Sequence, residues 1–275
     1  MLCQFTVKNF KSIRDEVTFD MQAAAISEHE DRIIIDKDEQ KYLPVSAVYG
    51  PNGGGKSNVL AALHTLVAKV LRPLLATEDS EEKVLLQRKI IVEPFAFSKS
   101  KDEPTEFELF FRTTVSEYRY ILHVKRDIVL YESLDRVKLE TGRKSALFTR
   151  DENGIVLKGA FAKLKVSDEL SKTLTLLSYL GIAYKGNAVV KDVLSWFEYG
   201  IEFLNYGNPI QELKMAVSTS EDVKKLMLQM IQEMDLDIVD FRVEEKENER
   251  INIFTKHCVD DVETAVSYTH LTLPT

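Results

Sequence analysis

Between residues 45 and 75 the chain reads VSAVYGPNGGGKSNVLAALHTLVAKVLRPLL: a short apolar, β-branched run, a glycine-rich loop and a stretch with helical periodicity, in direct succession. Gly50, Gly55, Lys56 and Ser57 fit the pattern G-x-x-x-x-G-K-[ST]. Average residue frequencies would give such a string by chance in about one chain of this length per hundred. Strand, loop and helix in that order are the unit of an α/β fold that cradles phosphate, so this stretch constrains the architecture more than any other. Glycines allow left-handed backbone and let consecutive amides approach an anion where a side chain would obstruct them. Lys56 adds a point charge, and the following helix points its positive end at the same place. The candidate phosphate-binding residues are therefore Gly50, Pro51, Asn52, Gly53, Gly54, Gly55, Lys56, Ser57 and Asn58, with Ser57 the candidate Mg²⁺ ligand through its hydroxyl. ATP with Mg²⁺ is the expected ligand. GTP is less well supported, because no N/TKxD-type guanine-reading string occurs.

Residues around the loop sort by period. CQFTVKNFKSIRDEVTFDM, 3 to 21, alternates on both sides of a polar turn and predicts a β-hairpin. From Lys56, apolar residues recur every three or four positions at Val59, Leu60, Leu63, Leu66, Val67, Val70, Leu71 and Leu74, with Pro73 and TEDSEE expected to end the helix. EFELFFR, EYRYILHVK and DIVLYESL predict an antiparallel meander, its period-two aromatics a core face rather than a base-stacking platform. From about 160 to 235 the period is helical. One helix is expected from a capping Ser167 or Asp168 to Gly181, a second around Trp196, and a third from a capping box at Ser218 and Glu221 with a core stripe through Leu226, Met227, Met230, Ile231 and Met234. DIVDFRVEEKENERINIFTKH then predicts a second hairpin. The expected organisation is a nucleotide-binding lobe over 1–135, a mainly helical insertion over 136–235 and a returning hairpin over 236–265.

At 275 residues, 44% hydrophobic, the chain can bury one large core or two modest ones. A net charge of −8 argues against indiscriminate coating of nucleic acid, although a local basic groove for DNA is compatible with it. No run approaches the roughly 20 uninterrupted apolar residues that would span a bilayer, and the charged N-terminus lacks a signal peptide's apolar stretch, so a cytoplasmic protein with no membrane partner is expected. Cys3 and Cys258 lack zinc-ligand spacing and read as reduced thiols.

Hydrolysis would require a carboxylate after a four-residue apolar strand. RIIID, ending at Asp36, precedes the loop, and LDIVD, ending at Asp240, is interrupted by Asp237 and followed by Phe241. Neither meets the requirement. FTVKNFKSI followed by GPNGGGKSN resembles the opening of ABC-like ATPases of the RecF, SMC and OLD (overcoming lysogenisation defect) group. EPFAF, PTEFELFF, YRYILHV, YESL, LFTR, WF and MDLDIVDFRVEE are similar to bacterial AAA-type ATP-binding proteins associated with abortive phage infection. The resemblance spans nearly all of residues 1 to 257.

It implies an α/β, P-loop ABC-like ATPase head with an antiparallel β subdomain and an inserted helical lobe. Two heads would close as a homodimer around ATP, with Lys11 and Ser12 approaching the nucleotide from the N-terminal hairpin. The family's serine-glycine-threonine signature, Asp-Glu strand, switch histidine and Q-loop glutamine have no identifiable counterpart, Gln87 and Gln211 being the glutamines nearest that last role. VSYTHLTLPT, 266 to 275, is word for word the translation of GTC TCT TAT ACA CAT CTG ACG CTG CCG ACG, a transposase-type sequencing adapter. The expectation is therefore an incomplete head with a weakly placed tail. Its function in phage defence or DNA maintenance would be ATP binding, with hydrolysis in the complete dimer; the alternative is a nucleotide-gated module controlling a nuclease or toxin partner.

Overall fold

The computed structural model describes residues 1–25, 30–75, 90–97, 99–167, 170–203, 221–233, 238–245, 251–259 and 262–267. They fall into two compact units, Met1–Glu202 and Phe203–Thr275.

The first unit is built on strands whose residues alternate between a buried and a solvated face. Strands β1 (Leu2–Lys8) and β2 (Val17–Asp20) form the N-terminal hairpin, and β3 (Ile34–Ile35) pairs with β4 (Lys41–Tyr42). After helix α1 (Lys56–Leu75) come β5 (Thr105–Arg112), β6 (Ser116–Lys125), β7 (Ile128–Lys138), β8 (Lys144–Asp151) and β9 (Gly154–Leu157), then helices α2 (Leu176–Ala183) and α3 (Ala188–Tyr199). Seven strands form one sheet in the order β2-β1-β5-β6-β7-β8-β9, every neighbouring pair antiparallel. Phe5, Val7, Phe107, Leu109, Phe111, Tyr118, Tyr120, Leu122 and Val124 are buried at period two, so the meander's aromatics are core. Phe111 anchors α3 to that face, its ring centroid 4.6 Å from Trp196 and 5.5 Å from Phe197.

Helix α1 buries Ala62, Leu63, Leu66, Val67 and Val70. It is the one described helix long and apolar enough to cross a membrane by length and composition, but that stripe packs within the unit against α2 and α3. Ser178 Oγ of α2 donates to the Val70 carbonyl at 2.7 Å. Gly181 lets α2 approach closely, since a Cβ there would stand 2.6 Å from Leu74 Cδ2 and Leu194 Cδ1.

Helix α2 is capped both by its own sequence and from β7. Thr175 accepts from Ser178 N, while the fully buried carboxylate of Glu132, on β7, accepts from Leu176 N at 2.6 Å, Leu177 N at 2.9 Å and the Tyr120 hydroxyl at 2.9 Å. Burial holds the Glu132 carboxyl above its usual range, against the pull of those donors. Arg150 lies 3.9 Å away and donates to the Leu174 and Ser171 carbonyls, fixing the approach to the helix. The helix therefore starts at Leu176 rather than near Ser167; Asp168 lies outside the described residues.

The expected strand at 45–49 is not formed. A strand needs a neighbouring edge, and among the described residues none pairs with this segment, so Val45, Val48 and Tyr49 are 77%, 45% and 90% exposed. The expected helical insertion from 136 is corrected too, because β7 runs to Lys138 and β8 and β9 extend the sheet to Leu157. Pro73 sits inside the last turn of α1 instead of ending it.

The second unit holds helix α4 (Glu221–Glu233) and a three-stranded antiparallel sheet, β10 (Ile238–Glu245), β11 (Ile251–Val259) and β12 (Val262–Ser267). Pairing of β10 with β11 is the hairpin expected from alternation. Strand β12 corrects the reading of the tail, since Val266 pairs with Thr255 and Ser267 with Phe254; residues 268–275 lie outside the described residues. So do Ser218 and Met234. Of the α4 stripe, Leu226 and Met230 are more than half exposed, so they do not form the expected core.

Candidate functional site

Residues 50–55 form a tight loop. Gly53 and Gly55 have φ of +79° and +85°, the left-handed region where a Cβ is strained, which is why glycine stands there. Gly54 N donates to the Pro51 carbonyl at 3.1 Å, closing the turn. The Lys56 ammonium reaches back to the Gly50 and Pro51 carbonyls at 2.7 and 2.8 Å, so the one cation of the loop spans its start. Helix α1 begins at Lys56, and its first amides have no carbonyl one turn earlier within the helix. Positive φ at two glycines, a helix N-terminus and an ammonium are thus gathered within a few residues, an arrangement that favours a multiply charged anion. Ser57, exposed in the first turn, offers one hydroxyl oxygen. That donor suits Mg²⁺, which takes few protein oxygens and completes its shell with phosphate and water.

The N-terminal hairpin reaches this loop. Phe10 and Ile13 exchange backbone hydrogen bonds at 2.8 and 2.7 Å, making a tight turn with Lys11 and Ser12 at its tip. Ser12 Oγ accepts from Asn58 Nδ2 at 2.6 Å, and a Cβ on Gly55 would stand 2.9 Å from the same oxygen. Ser12 therefore packs on the last glycine of the loop. Lys11, with φ of +48°, places its ammonium 5.5 Å from the centre of the Phe10 ring, and its amide donates to the Glu93 carbonyl at 2.9 Å.

Asn9, which sequence reasoning passed over, holds the base of that turn. It is 1% exposed, and its Nδ2 donates to the Ser100, Glu103 and Pro104 carbonyls at 2.6, 3.1 and 3.1 Å. Its Oδ1 accepts from Phe95 N at 3.0 Å, and its carbonyl accepts from Thr105 Oγ1 at 2.6 Å. The signal was present in KNFKS. With φ of +57°, Asn9 occupies the conformation that asparagine tolerates better than most residues with a side chain.

The two carboxylates weighed from sequence are held elsewhere. Asp36 accepts from Arg112 at 2.9 Å, in a cluster where the same guanidinium binds Asp38 at 2.6 Å and Glu117 at 2.7 Å and lies over the Tyr42 ring. Asp240, in the second unit, lies 3.5 Å from Lys224 and accepts from Phe241 N. Gln87 and Gln211 lie outside the described residues.

A family model described as "AAA domain, putative AbiEii toxin, Type IV TA system" matches residues 45–191. That span is just over half the chain and includes the loop, α1, β5 to β9, α2 and the first turn of α3. The chain belongs to this AAA-domain family. No individually curated protein matches the sequence. AAA domains are nucleotide-binding units, usually with Mg²⁺, and the matched span contains all nine candidate loop residues. Lys11 and Ser12 precede the match, so they join the AAA loop only through the fold.

Proposed function

We propose that this AAA domain binds ATP·Mg²⁺ through Gly50 to Asn58, with Lys56 on the phosphates, Ser57 on the metal and Ser12 supporting the loop from the side. The observation that carries the proposal is the loop itself: left-handed backbone at Gly53 and Gly55, with the Lys56 ammonium held across its start at the mouth of a 20-residue helix. In the binding step, phosphate oxygens replace the Gly50 and Pro51 carbonyls as acceptors for Lys56. The loop and first-turn amides then add short-range donors in a fixed geometry. Bound Mg²⁺ would supply charge neutralisation between phosphates, and Ser57 is the residue that would hold it.

The family's description, "putative AbiEii toxin, Type IV TA system", supports a role in abortive infection or phage defence, with DNA maintenance the other setting implied by the resemblance. In that role two copies would close on nucleotide as an ABC-like homodimer that hydrolyses ATP. A second reading, nucleotide-gated control of a nuclease or toxin partner with little turnover by this chain, is favoured by the engagement of Asp36 and Asp240 in other ion pairs.

Titration with a fluorescent ATP analogue tests the site. Saturable, Mg²⁺-dependent binding is expected for the wild type. Lys56→Ala should weaken it by about 10- to 100-fold, the loss of one or two charge-assisted hydrogen bonds. Equal affinities for the two proteins would reject residues 50–58 as the site.

A further inference from the structure

We propose that Asn9 is a positioning residue for the phosphate loop: it sets the Phe10–Ile13 turn so that Ser12 braces Gly55 and Asn58 in the geometry that binds nucleotide. The inference rests on the nucleotide-binding reading above and adds to it a residue outside both the loop and the family match.

Three features carry it. Asn9 uses its side-chain amide and its main-chain carbonyl at once, so five hydrogen bonds converge on one buried residue. Those bonds run to residues 95 to 105, the segment leading into β5, and Lys11 N adds a sixth link through Glu93. The turn is thereby tied at its base to the sheet and at its tip to the loop. Ser12 touches the loop closely: Oγ lies 2.6 Å from Asn58 Nδ2 and 2.9 Å from where a Cβ on Gly55 would stand. A displacement of the turn by a fraction of an ångström would therefore remove the brace on Gly55, whose φ of +85° is among the values that shape the loop. Asparagine suits the position because it combines tolerance of positive φ with donor and acceptor on one short side chain. Aspartate would turn its oxygens on three carbonyls, and alanine would keep the strain and lose the bonds.

The test separates position from bulk stability. Asn9→Gly keeps the backbone conformation and deletes the side-chain bonds. Ser12→Ala deletes the brace. Affinity for the fluorescent ATP analogue with Mg²⁺ is measured for the wild type, N9G, S12A and N9G/S12A, each at a temperature where its melting curve shows it fully folded. N9G and S12A should each weaken binding by about tenfold, and the double variant by no more than the weaker single, because Asn9 acts through Ser12. Thr105→Val, nearly isosteric, loosens Asn9 from its carbonyl side and takes the place of N9G in the cycle if N9G does not fold. Additive losses would mean that Asn9 acts through general stability and would overturn the proposal. So would wild-type affinity in a folded N9G or T105V. A wild type that binds no nucleotide would overturn the nucleotide reading and this inference together, whereas a binding wild type with unaffected variants overturns the inference alone.

Discussion

Replacing Glu132 by glutamine removes one charge and, whichever way the new amide turns, leaves one donor facing another. Glu132 Oε2 accepts from Leu176 N, and Oε1 accepts from Leu177 N and the Tyr120 hydroxyl. With the amide nitrogen at the Oε2 position, Leu176 N loses its acceptor; with it at Oε1, Leu177 N does. The Tyr120 hydroxyl can rotate to accept, but a backbone amide cannot. An unsatisfied buried amide costs about 1–3 kcal/mol, and losing a carboxylate from the positive end of a helix costs about 0.3–1 kcal/mol more. Removing a buried charge, whose burial already raises the Glu132 pKa, offsets part of this. A net loss of about 2 kcal/mol is expected, a fall of about 4–8 °C in melting temperature for a unit of this size. Differential scanning fluorimetry of wild type and Glu132→Gln in the same buffer measures it. A change within 1 °C would show that α2 does not depend on this cap, and the account of how β7 and α2 are joined would fail.

Two further outcomes follow from groups whose ionisation the fold alters. The Arg112 hydrogen bonds hold the Asp38 carboxyl below its usual value of 3.8, so its contribution to stability is fully present above that value and is lost as pH falls through the lower folded value. In melting curves taken between about pH 6 and pH 2.5, the gap between wild type and Asp38→Asn should be constant above about pH 4 and close below it; a gap that widens on acidification would contradict the pairing. Cys3 is buried and its thiol is pushed up to about 11, so iodoacetamide at pH 8 should leave it unmodified in the native protein and label it on unfolding. Rapid native labelling, located at Cys3 by peptide mass, would refute its placement in β1.

What could be read from the sequence depended on whether the deciding partner was local. Strands β1, β5 and β6 were legible because each has one dry face and therefore alternates. The loop was legible because Gly53 and Gly55 require φ values that few other residues adopt. Strand β8 hid its pattern in a bulge: the register shifts between Leu134 and Asp135, so Leu147 and Phe148 are both buried and period two is broken. The start of α2 was misplaced because its local cap, Thr175, was passed over, and Glu132, which satisfies the first two helical amides, lies 44 residues upstream of Leu176. Residues 45–49 have the composition of a strand, but a strand is made by its neighbours. Ser12 could be named only through resemblance, whereas Asn9, within the same FTVKNFKSI stretch, becomes visible as a support only when its side-chain and carbonyl hydrogen bonds are in view. Val266 and Ser267 were expected to be weakly placed for lack of apolar period, yet backbone pairing with β11 needs none.

The chain has only 11 glycines, four of them in the loop at 50, 53, 54 and 55. Glycine-selective ¹⁵N labelling therefore gives a spectrum in which the proposed site can be watched directly. On addition of ATP and Mg²⁺, the amide signals of Gly50, Gly53, Gly54 and Gly55 should move to new positions, while those of Gly142, in the turn before β8, and Gly154, at the start of β9, stay where they are. In Lys56→Ala the same shifts should appear only at about 10- to 100-fold higher nucleotide concentration. Saturating nucleotide that shifts none of the four loop glycines, or shifts glycines elsewhere in their place, would contradict nucleotide binding by this loop.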